Sequence, residues 1–311
     1  MTMADDALEA FATEVGARGP VAVEGARTRW STGGELEPGA RLLRAPEGIV
    51  EHRPEEMTVR VRAGTPVDEL HCELAAFGQR TALPRRGGTV GGALAVGEDD
   101  VCALGRGRVR DALLQVRYVS AEGAVVTGGG PTVKNVTGYD LCRLFVGSLG
   151  TLGLIGEVIL RTNPVPPVSR WLRADGTDPF AALDVLFRPS AVLFDGRATW
   201  VHLEGHAADV EAERRTLSAV PTAGGGWTEC EDGPVLPPHR WSFRPSELRQ
   251  LDGAVLGAYV ASVGVGTVFA SHSPPPRPQA PALRALAERV KHAFDPGGRL
   301  NPGRHVALLA P

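Results

Sequence analysis

Apolar and polar positions in the first half of the chain follow two different periods. Residues 20–24 and 58–62 alternate apolar and polar side chains, which is the period of half-buried strands. Between residues 65 and 78 the period becomes helical, and we expect Thr65 to cap the helix and Pro66 to occupy its first position. The apolar face of this helix is expected to hold Val67, Leu70, Leu74 and Phe77. Further strands are predicted over 112–120, 123–127 and 154–161.

A proline-rich run at 163–167 cannot continue a helix or a central strand, so it indicates a domain boundary. The pattern beyond it predicts a small layered α/β unit. Its elements are expected to be a helix near 178–187, strands near 191–195 and 199–204, and a helix near 207–219. Residues 253–271 lack charge, but their glycines and Tyr259 predict buried strand and turn rather than a membrane helix. A final helix should carry Leu283, Leu286, Val290 and Phe294 on one face.

Composition narrows the class of protein. A chain of 311 residues is long enough for two packed domains. Its net charge of −3 provides no positive electrostatic field that would attract nucleic acid. The four cysteines show no C-x-x-C pair and no zinc or iron–sulfur spacing, which fits a reducing cytoplasm. The N-terminus lacks the basic start and apolar run of a signal peptide. We therefore expect a cytoplasmic protein without a membrane span.

Common nucleotide and hydrolase motifs are missing, whereas glycine comes in blocks. The sequence has no Walker A motif, no Rossmann G-x-G-x-x-G between strand and helix, and no H-E-x-x-H or G-x-S-x-G. Glycine blocks occupy 87–92, 128–130 and 147–153. A single block is more often a tight turn, but three within one half of the chain favour a phosphate-bearing ligand held by backbone N–H groups.

The segments 134–141 (KNVTGYDL) and 144–155 (LFVGSLGTLGLI) resemble PCMH-type, vanillyl-alcohol-oxidase-like FAD-binding flavoproteins. The resemblance extends to 89–92 and to the ending 295–304, and 192–205 looks like a strand pair of a middle domain. Within that superfamily the chain is most similar to the FAD-binding accessory subunits of bacterial glycolate oxidase (glycolate dehydrogenase).

The resemblance implies an α+β fold: a PCMH-type FAD-binding domain of two α/β subdomains with a small α/β cap. Residues 1–167 would form the FAD domain, 168–270 a reduced cap or substrate domain, and 271–311 a segment returning to the FAD domain. The positions that match the cofactor-binding segments of the family are Gly25, Ala26, Arg27, Thr28, Arg29, Thr89, Gly91, Gly92, Lys134, Asn135, Gly138, Tyr139, Gly147, Ser148, Gly150, Thr151, Gly153, Ile155, Asn301 and Gly303.

The first of these segments departs from the family pattern R-G-G-G-T-S. Glu24 stands at the usual arginine position, and Ala26 and Arg27 replace glycines, although Arg27 or Arg29 can supply compensating charge. Relatives with covalent FAD carry a histidine in this loop, and 27–31 holds none, so we predict non-covalent FAD.

Other candidate residues keep two interpretations. Lys134 is one of two lysines beside 31 arginines, which favours a required ammonium, but an ordinary surface lysine is about equally expected. Tyr139 can stack on the flavin or belong to the core. Asp140 is interpreted as a helix cap and His202 as a packed histidine. We predict no metal site and name no catalytic residue.

The resemblance implies oxidation of a small 2-hydroxy acid such as glycolate, with a hydride passing to FAD and electrons leaving through a partner. Two alternatives remain: a non-catalytic assembly subunit with weak or no FAD, and a stand-alone NADPH-dependent flavin reductase. We expect the chain to be inactive alone, because Val265 and Val268 stand where the accessory subunits carry a histidine and an arginine. The expected partners are a catalytic FAD subunit and an iron–sulfur subunit.

Overall fold

The computed structural model describes residues 3–131, 140–275 and 280–305. The described chain divides into two compact units. The first contains 1–100, 108–164 and 277–310, and the second contains 101–107 and 165–276. The assignment of the three expected domains as FAD domain, cap or substrate domain and returning segment stays a prediction.

Helices and strands mix along the described residues, as the fold class requires. The helices are α1 (Met3–Val15), α2 (Val67–Ala76), α3 (Val90–Val96), α4 (Ala103–Arg106), α5 (Val109–Ala112), α6 (Leu141–Phe145), α7 (Pro179–Val185), α8 (Ala207–Leu217), α9 (Gly253–Leu256) and α10 (Pro281–Phe294). The strands are β1 (Val21–Val23), β2 (Arg41–Leu43), β3 (Ile49–Arg53), β4 (Thr58–Arg62), β5 (Gln79–Arg80), β6 (Leu113–Val119), β7 (Val125–Gly129), β8 (Leu154–Arg161), β9 (Asn163–Pro164), β10 (Val168–Asp175), β11 (Ala191–Phe194), β12 (Ala198–Gly205), β13 (Thr228–Cys230), β14 (His239–Ser242), β15 (Tyr259–Ser262) and β16 (Thr267–Ala270). Short 3₁₀ turns cover Pro54–Glu56 and Pro245–Gln250.

The first unit is built on an antiparallel sheet in the order β3-β4-β8-β6-β7. The alternation in β4 buries Val59 and Val61 against the core while Arg60 stays partly exposed. β1 and β2 form a small parallel pair, and Val21 also bridges to Leu300 of the C-terminal segment. The C-terminal residues therefore join this unit through backbone pairing.

Helix α2 begins one residue later than its sequence pattern predicts. Pro66 is the residue before the helix, and the Thr65 hydroxyl accepts a hydrogen bond from the Gly48 backbone N–H at 2.8 Å instead of capping α2. Phe77 follows the helix and is 53% exposed, so it does not continue the buried face. The Thr65 hydroxyl, which the local sequence pattern assigns to the N-cap of α2, is therefore used in a contact with a more distant part of the chain.

The second unit is a seven-stranded antiparallel sheet in the order β13-β10-β12-β11-β15-β16-β14. The predicted helix–strand–strand–helix order is confirmed by α7, β11, β12 and α8. The uncharged stretch 253–271 contains the strands β15 and β16 and the turn between them, as predicted, but it begins with the short helix α9, in which only Leu256 is buried. In the described parts of the chain, no helix combines the length and apolar character needed to cross a bilayer.

Candidate functional site

A cleft opens in the first unit. Four segments meet there: the loop after β1, the start of α3, the loop before β8 and the C-terminal segment. The residues that line it are Val23, Glu24, Gly25, Ala26, Arg27, Thr28, Arg29, Trp30, Thr32, Ala45, Ala63, Gly64, Gly88, Thr89, Gly91, Gly92, Ala95, Val96, Leu149, Gly150, Leu154, Ile155, Asn301 and Arg304. Eleven of these were predicted from the sequence: Gly25, Ala26, Arg27, Thr28, Arg29, Thr89, Gly91, Gly92, Gly150, Ile155 and Asn301.

Arg27 occupies a backbone conformation that suits glycine. Its φ is +56°, in the left-handed region that L side chains adopt only at a cost. Its guanidinium donates to the Glu24 carboxylate, with the Nε contact at 2.7 Å, and lies 4.9 Å from the Trp30 ring centroid. The loop has thus replaced glycine by a strained residue whose side chain is fixed by an ion pair and by an aromatic face.

Arg29 is held by a separate ion pair. Its Nε donates to the buried Glu98 carboxylate, which also accepts from Arg86. The Arg29 Nη2 is buried and has no hydrogen-bond partner in the described residues. A donor left over at the wall of a cleft fits an anionic ligand, because an unsatisfied buried N–H is costly.

Glycines bring backbone close to the cleft wall. A Cβ on Gly25 would lie 2.5 Å from the Thr89 hydroxyl oxygen, and a Cβ on Gly91 would lie 2.8 Å from the Ala63 Cβ. The Thr89 side chain accepts from the Gly92 N–H at the start of α3. The block 87–92 therefore contributes both to packing and to the open backbone surface that lines the cleft.

Asn301 connects three segments of the cleft. Its Nδ2 donates to the Leu149 carbonyl at 3.0 Å, and its Oδ1 accepts from the Val23 N–H at 3.2 Å. A Cβ on Gly150 would lie 2.2 Å from that Nδ2, and the φ of Gly150 is +68°. Glycine is therefore required at position 150 for two reasons. The backbone angle disfavours other residues, and the Asn301 side chain occupies the space that a Cβ would need.

Lys291 supports the same corner from α10. Its ammonium donates to the Thr151 carbonyl at 2.7 Å, to the Leu300 carbonyl at 3.2 Å and to the Asp295 carboxylate at 2.5 Å. Burial lowers the pKa of Lys291, and the Asp295 carboxylate opposes that shift. A compact ammonium with three donors suits this set of acceptors.

Several predicted residues lie near the cleft without lining it. Ser148 and Thr151 are buried and bond within their own turn, where the Thr151 hydroxyl donates to the Ser148 carbonyl at 2.7 Å. Gly147 donates its N–H to the Leu94 carbonyl, Gly153 lies against the Tyr118 ring, and Gly303 lies against the Glu35 carbonyl. Their contact with a cofactor stays a prediction. Lys134, Asn135, Gly138 and Tyr139 lie outside the described residues.

Trp30 and Arg304 line the cleft and were missed from the sequence. The Arg304 guanidinium lies 4.9 Å from the Trp30 ring centroid and donates to the Thr32 and Gly34 carbonyls. Trp30 follows Arg29 directly and Arg304 follows Gly303 directly, so for both residues the neighbouring predicted position was a usable signal. Their contact with each other had no such signal, because the two residues lie more than 270 positions apart in the chain.

A polar cluster in the second unit uses His202 as a packed side chain, as predicted. His202 is buried, its ring stacks on Trp171 with 4.4 Å between centroids, and its nitrogens contact Ser169 and Cys102.

The Asp140 carboxylate accepts from the Arg143 N–H at 3.1 Å, which confirms the predicted cap of α6. Among the described residues, no cluster of three His, Cys, Asp or Glu side chains could hold a metal ion.

Comparison with known proteins identifies the first unit. A family described as FAD binding domain matches residues 4–129, which supply most of the cleft-lining residues. The chain carries a PCMH-type FAD-binding domain. This confirms the recognition, the α+β fold class and the FAD cofactor predicted from the sequence.

The relatives are oxidoreductases. The chain is 28% identical over 327 residues to glycolate oxidase subunit GlcE of Escherichia coli, covering 93% of each chain. It is 40% identical over 86 residues to glycolate oxidase subunit GlcD of Bacillus subtilis, covering 28% of this chain and 18% of that protein. A D-lactate dehydrogenase of Archaeoglobus fulgidus is 39% identical over 94 residues, covering 29% of this chain and 21% of that protein. Similarity to these proteins supports an FAD-binding oxidoreductase.

A solved structure supports the fold alone. Alkyldihydroxyacetonephosphate synthase superposes with a TM-score of 0.63 at 16% identity, covering 91% of this chain and 71% of that one.

The residues of the cleft suit FAD. Close-approaching glycines, three lining arginines and the unpartnered Arg29 Nη2 provide donors for a diphosphate. Apolar side chains of Val23, Leu149 and Ile155 provide walls for rings.

Proposed function

We propose that this chain is the FAD-binding subunit of a glycolate oxidase-like, 2-hydroxy-acid oxidoreductase that passes electrons to a partner protein. The observation that carries the proposal is the match to glycolate oxidase subunit GlcE, which spans 93% of both chains. The local matches to a D-lactate dehydrogenase support the same substrate class.

The cleft residues are proposed to hold the cofactor without a covalent bond. Bound FAD supplies two-electron acceptance from a substrate C–H bond. The loop from Gly25 to Arg29, the Thr89–Gly92 turn and Asn301 would bind and orient it, since these line the cleft. Ser148, Thr151 and Lys291 would position the loop through its backbone. Acid precipitation should release the flavin, and flavin retained on the denatured chain would contradict non-covalent binding.

The second unit supports a role within a complex. Val268 is fully buried in β16, and Val265 lies in the turn between β15 and β16. Neither side chain can act as a base or bind a carboxylate. We therefore propose that substrate turnover needs a catalytic FAD subunit and that electrons leave through an iron–sulfur subunit.

A cytoplasmic location belongs to the same proposal. All four cysteines are free thiols, as is usual in a reducing compartment.

A second candidate function is an assembly subunit that uses the fold as a docking surface and binds FAD weakly. The observation that favours it is the position of Glu24. Its carboxylate lines the cleft and already forms an ion pair with the Arg27 guanidinium. A cofactor diphosphate would meet a negative charge there, which weakens binding.

Two measurements separate these functions. Purification of the tagged full chain from its native host should bring down a second flavoprotein and an iron-containing subunit, with flavin bound to this chain. Anaerobic mixing of the isolated, FAD-loaded chain with glycolate or D-lactate should leave the flavin oxidised. Rapid bleaching by either acid would show that one polypeptide is sufficient, and a chain that purifies with partners but takes up no FAD would favour the assembly subunit.

A further inference from the structure

We propose that Arg304 binds the diphosphate of FAD and that Arg27 exchanges its Glu24 partner for the same diphosphate when the cofactor enters. The inference rests on FAD binding in the cleft and extends it to residues that do not belong to the sequence-predicted set or that depart from its pattern.

The three arginines that line the cleft differ in how they are neutralised. Arg29 is paired with Glu98, and Arg27 is paired with Glu24. Arg304 donates only to backbone carbonyls, those of Thr32 and Gly34, and forms no ion pair with a described carboxylate. Of the three lining arginines, Arg304 is therefore the one whose charge is not neutralised by a described carboxylate and can pair with an anionic ligand.

Arg304 carries its charge in a partly desolvated place. Burial lowers the pKa of Arg304, and no opposite charge acts against that effect. A guanidinium in such a place is stabilised when an anion binds beside it, and its planar fork suits two phosphate oxygens at once.

Trp30 places Arg304 and Arg27 around one ring. Each guanidinium carbon lies 4.9 Å from the centroid of the indole. Two cations held by one side chain repel each other unless an anion is shared between them. Glu24 relieves this repulsion only on the side of Arg27. A diphosphate carries charge for both, so it can bridge the pair.

Glu24 then acts against the cofactor. Its side chain is largely buried, pairs with Arg27 and lies 3.6 Å from the exposed Arg44 guanidinium. When the diphosphate takes Arg27, the Glu24 carboxylate keeps only Arg44 as a partner. Removing the Glu24 charge should therefore tighten binding, whereas removing Arg304 should weaken it.

The test measures binding of four ligands to the apo full chain by titration calorimetry: FAD, ADP, inorganic pyrophosphate and riboflavin. The variants are Arg304→Gln, Arg304→Lys, Glu24→Gln and, as a control of equal charge change outside the cleft, Arg53→Gln, since Arg53 pairs with Glu51 and Glu56 instead. Arg304→Gln should weaken FAD, ADP and pyrophosphate about tenfold, the loss of one charge-assisted contact, and leave riboflavin within about twofold. Arg304→Lys should recover part of the loss. Glu24→Gln should tighten the three phosphate ligands about threefold or more, and Arg53→Gln should change none by more than about twofold.

Each remaining outcome decides against the inference. If Arg304→Gln weakens riboflavin as much as FAD, Arg304 has only a structural role. If FAD affinity is unchanged in Arg304→Gln or falls in Glu24→Gln, the exchange of partners is wrong while FAD binding in the cleft stands. If the unaltered chain binds none of the four ligands, the cofactor site itself is misplaced and the inference falls with it.

Discussion

Gly150→Ala tests the most constrained contact of the cleft. Gly150 has a φ of +68°, and a Cβ there would lie 2.2 Å from the Asn301 Nδ2. Alanine in the left-handed region costs about 1–2 kcal/mol. The methyl group also displaces Asn301, whose hydrogen bonds to Leu149 and Val23 contribute about 0.5–1.5 kcal/mol each. We therefore expect a loss of about 2–5 kcal/mol in the free energy of unfolding.

Gly78→Ala is the matched control. Gly78 has nearly the same φ, +65°, and nothing lies within 4 Å of a Cβ built on it. Its substitution should cost only the backbone part, and the change in unfolded-chain entropy is the same in both variants. Any difference between the two variants therefore measures the contact with Asn301.

The assay is hydrogen exchange of peptides from the first unit across a urea series, which reports this unit separately from the second. Gly150→Ala should lose about 1–3 kcal/mol more than Gly78→Ala, and in an Asn301→Ala background the two losses should become equal. Equal losses in the unaltered background would refute the steric argument.

Three further predictions concern buried polar groups. Lys291→Met should destabilise the first unit by about 2–3 kcal/mol, because the Asp295 carboxylate stays buried, and urea unfolding should show Lys291→Arg retaining part of this stability. Glu98→Gln should weaken FAD binding measured by fluorescence quenching, because Arg29 loses the anion that orients it; unchanged affinity would contradict this. Burial lowers the pKa of His71, so the unfolded chain protonates first, and stability should fall as the pH drops below about 6.5, with a shallower fall in His71→Asn.

Alternation and periodicity predicted the regular elements well, because the physical cause is local to each element. β4, β8 and β12 have alternating or continuous apolar positions whose burial the sequence shows directly. The same reasoning predicted an apolar face on α10, yet Leu283 and Leu286 are 61% and 51% exposed. Periodicity identifies the face of a helix, but it does not say whether another element covers it.

The glycine pattern predicted the place of the cleft and only part of its lining. Gly25 and Gly150 line the cleft, whereas Gly153 makes room for the Tyr118 ring. A glycine needed for close packing and a glycine needed for a ligand look alike in the sequence. Only the tertiary neighbours of each position separate them.

Contacts between distant segments had no signal in the sequence. Residues 101–107 belong to the second unit, where Arg106 pairs with Glu204 at 2.9 Å. The stack of Trp30 with Arg304 likewise joins the two ends of the chain. Pairings of this kind depend on which chain segments meet in the fold, and one sequence does not record that.

FAD binding in the cleft of the first unit is tested most directly by titrating the apo chain with FAD and following the flavin absorbance at ~450 nm. Ala26→Trp fills the cleft from an exposed position, and Ala76→Trp adds the same side chain to an exposed position of α2. We expect one FAD per chain for the unaltered protein and for Ala76→Trp, with binding abolished in a folded Ala26→Trp. FAD uptake that is absent in the unaltered chain, or unchanged by Ala26→Trp, would contradict this expectation.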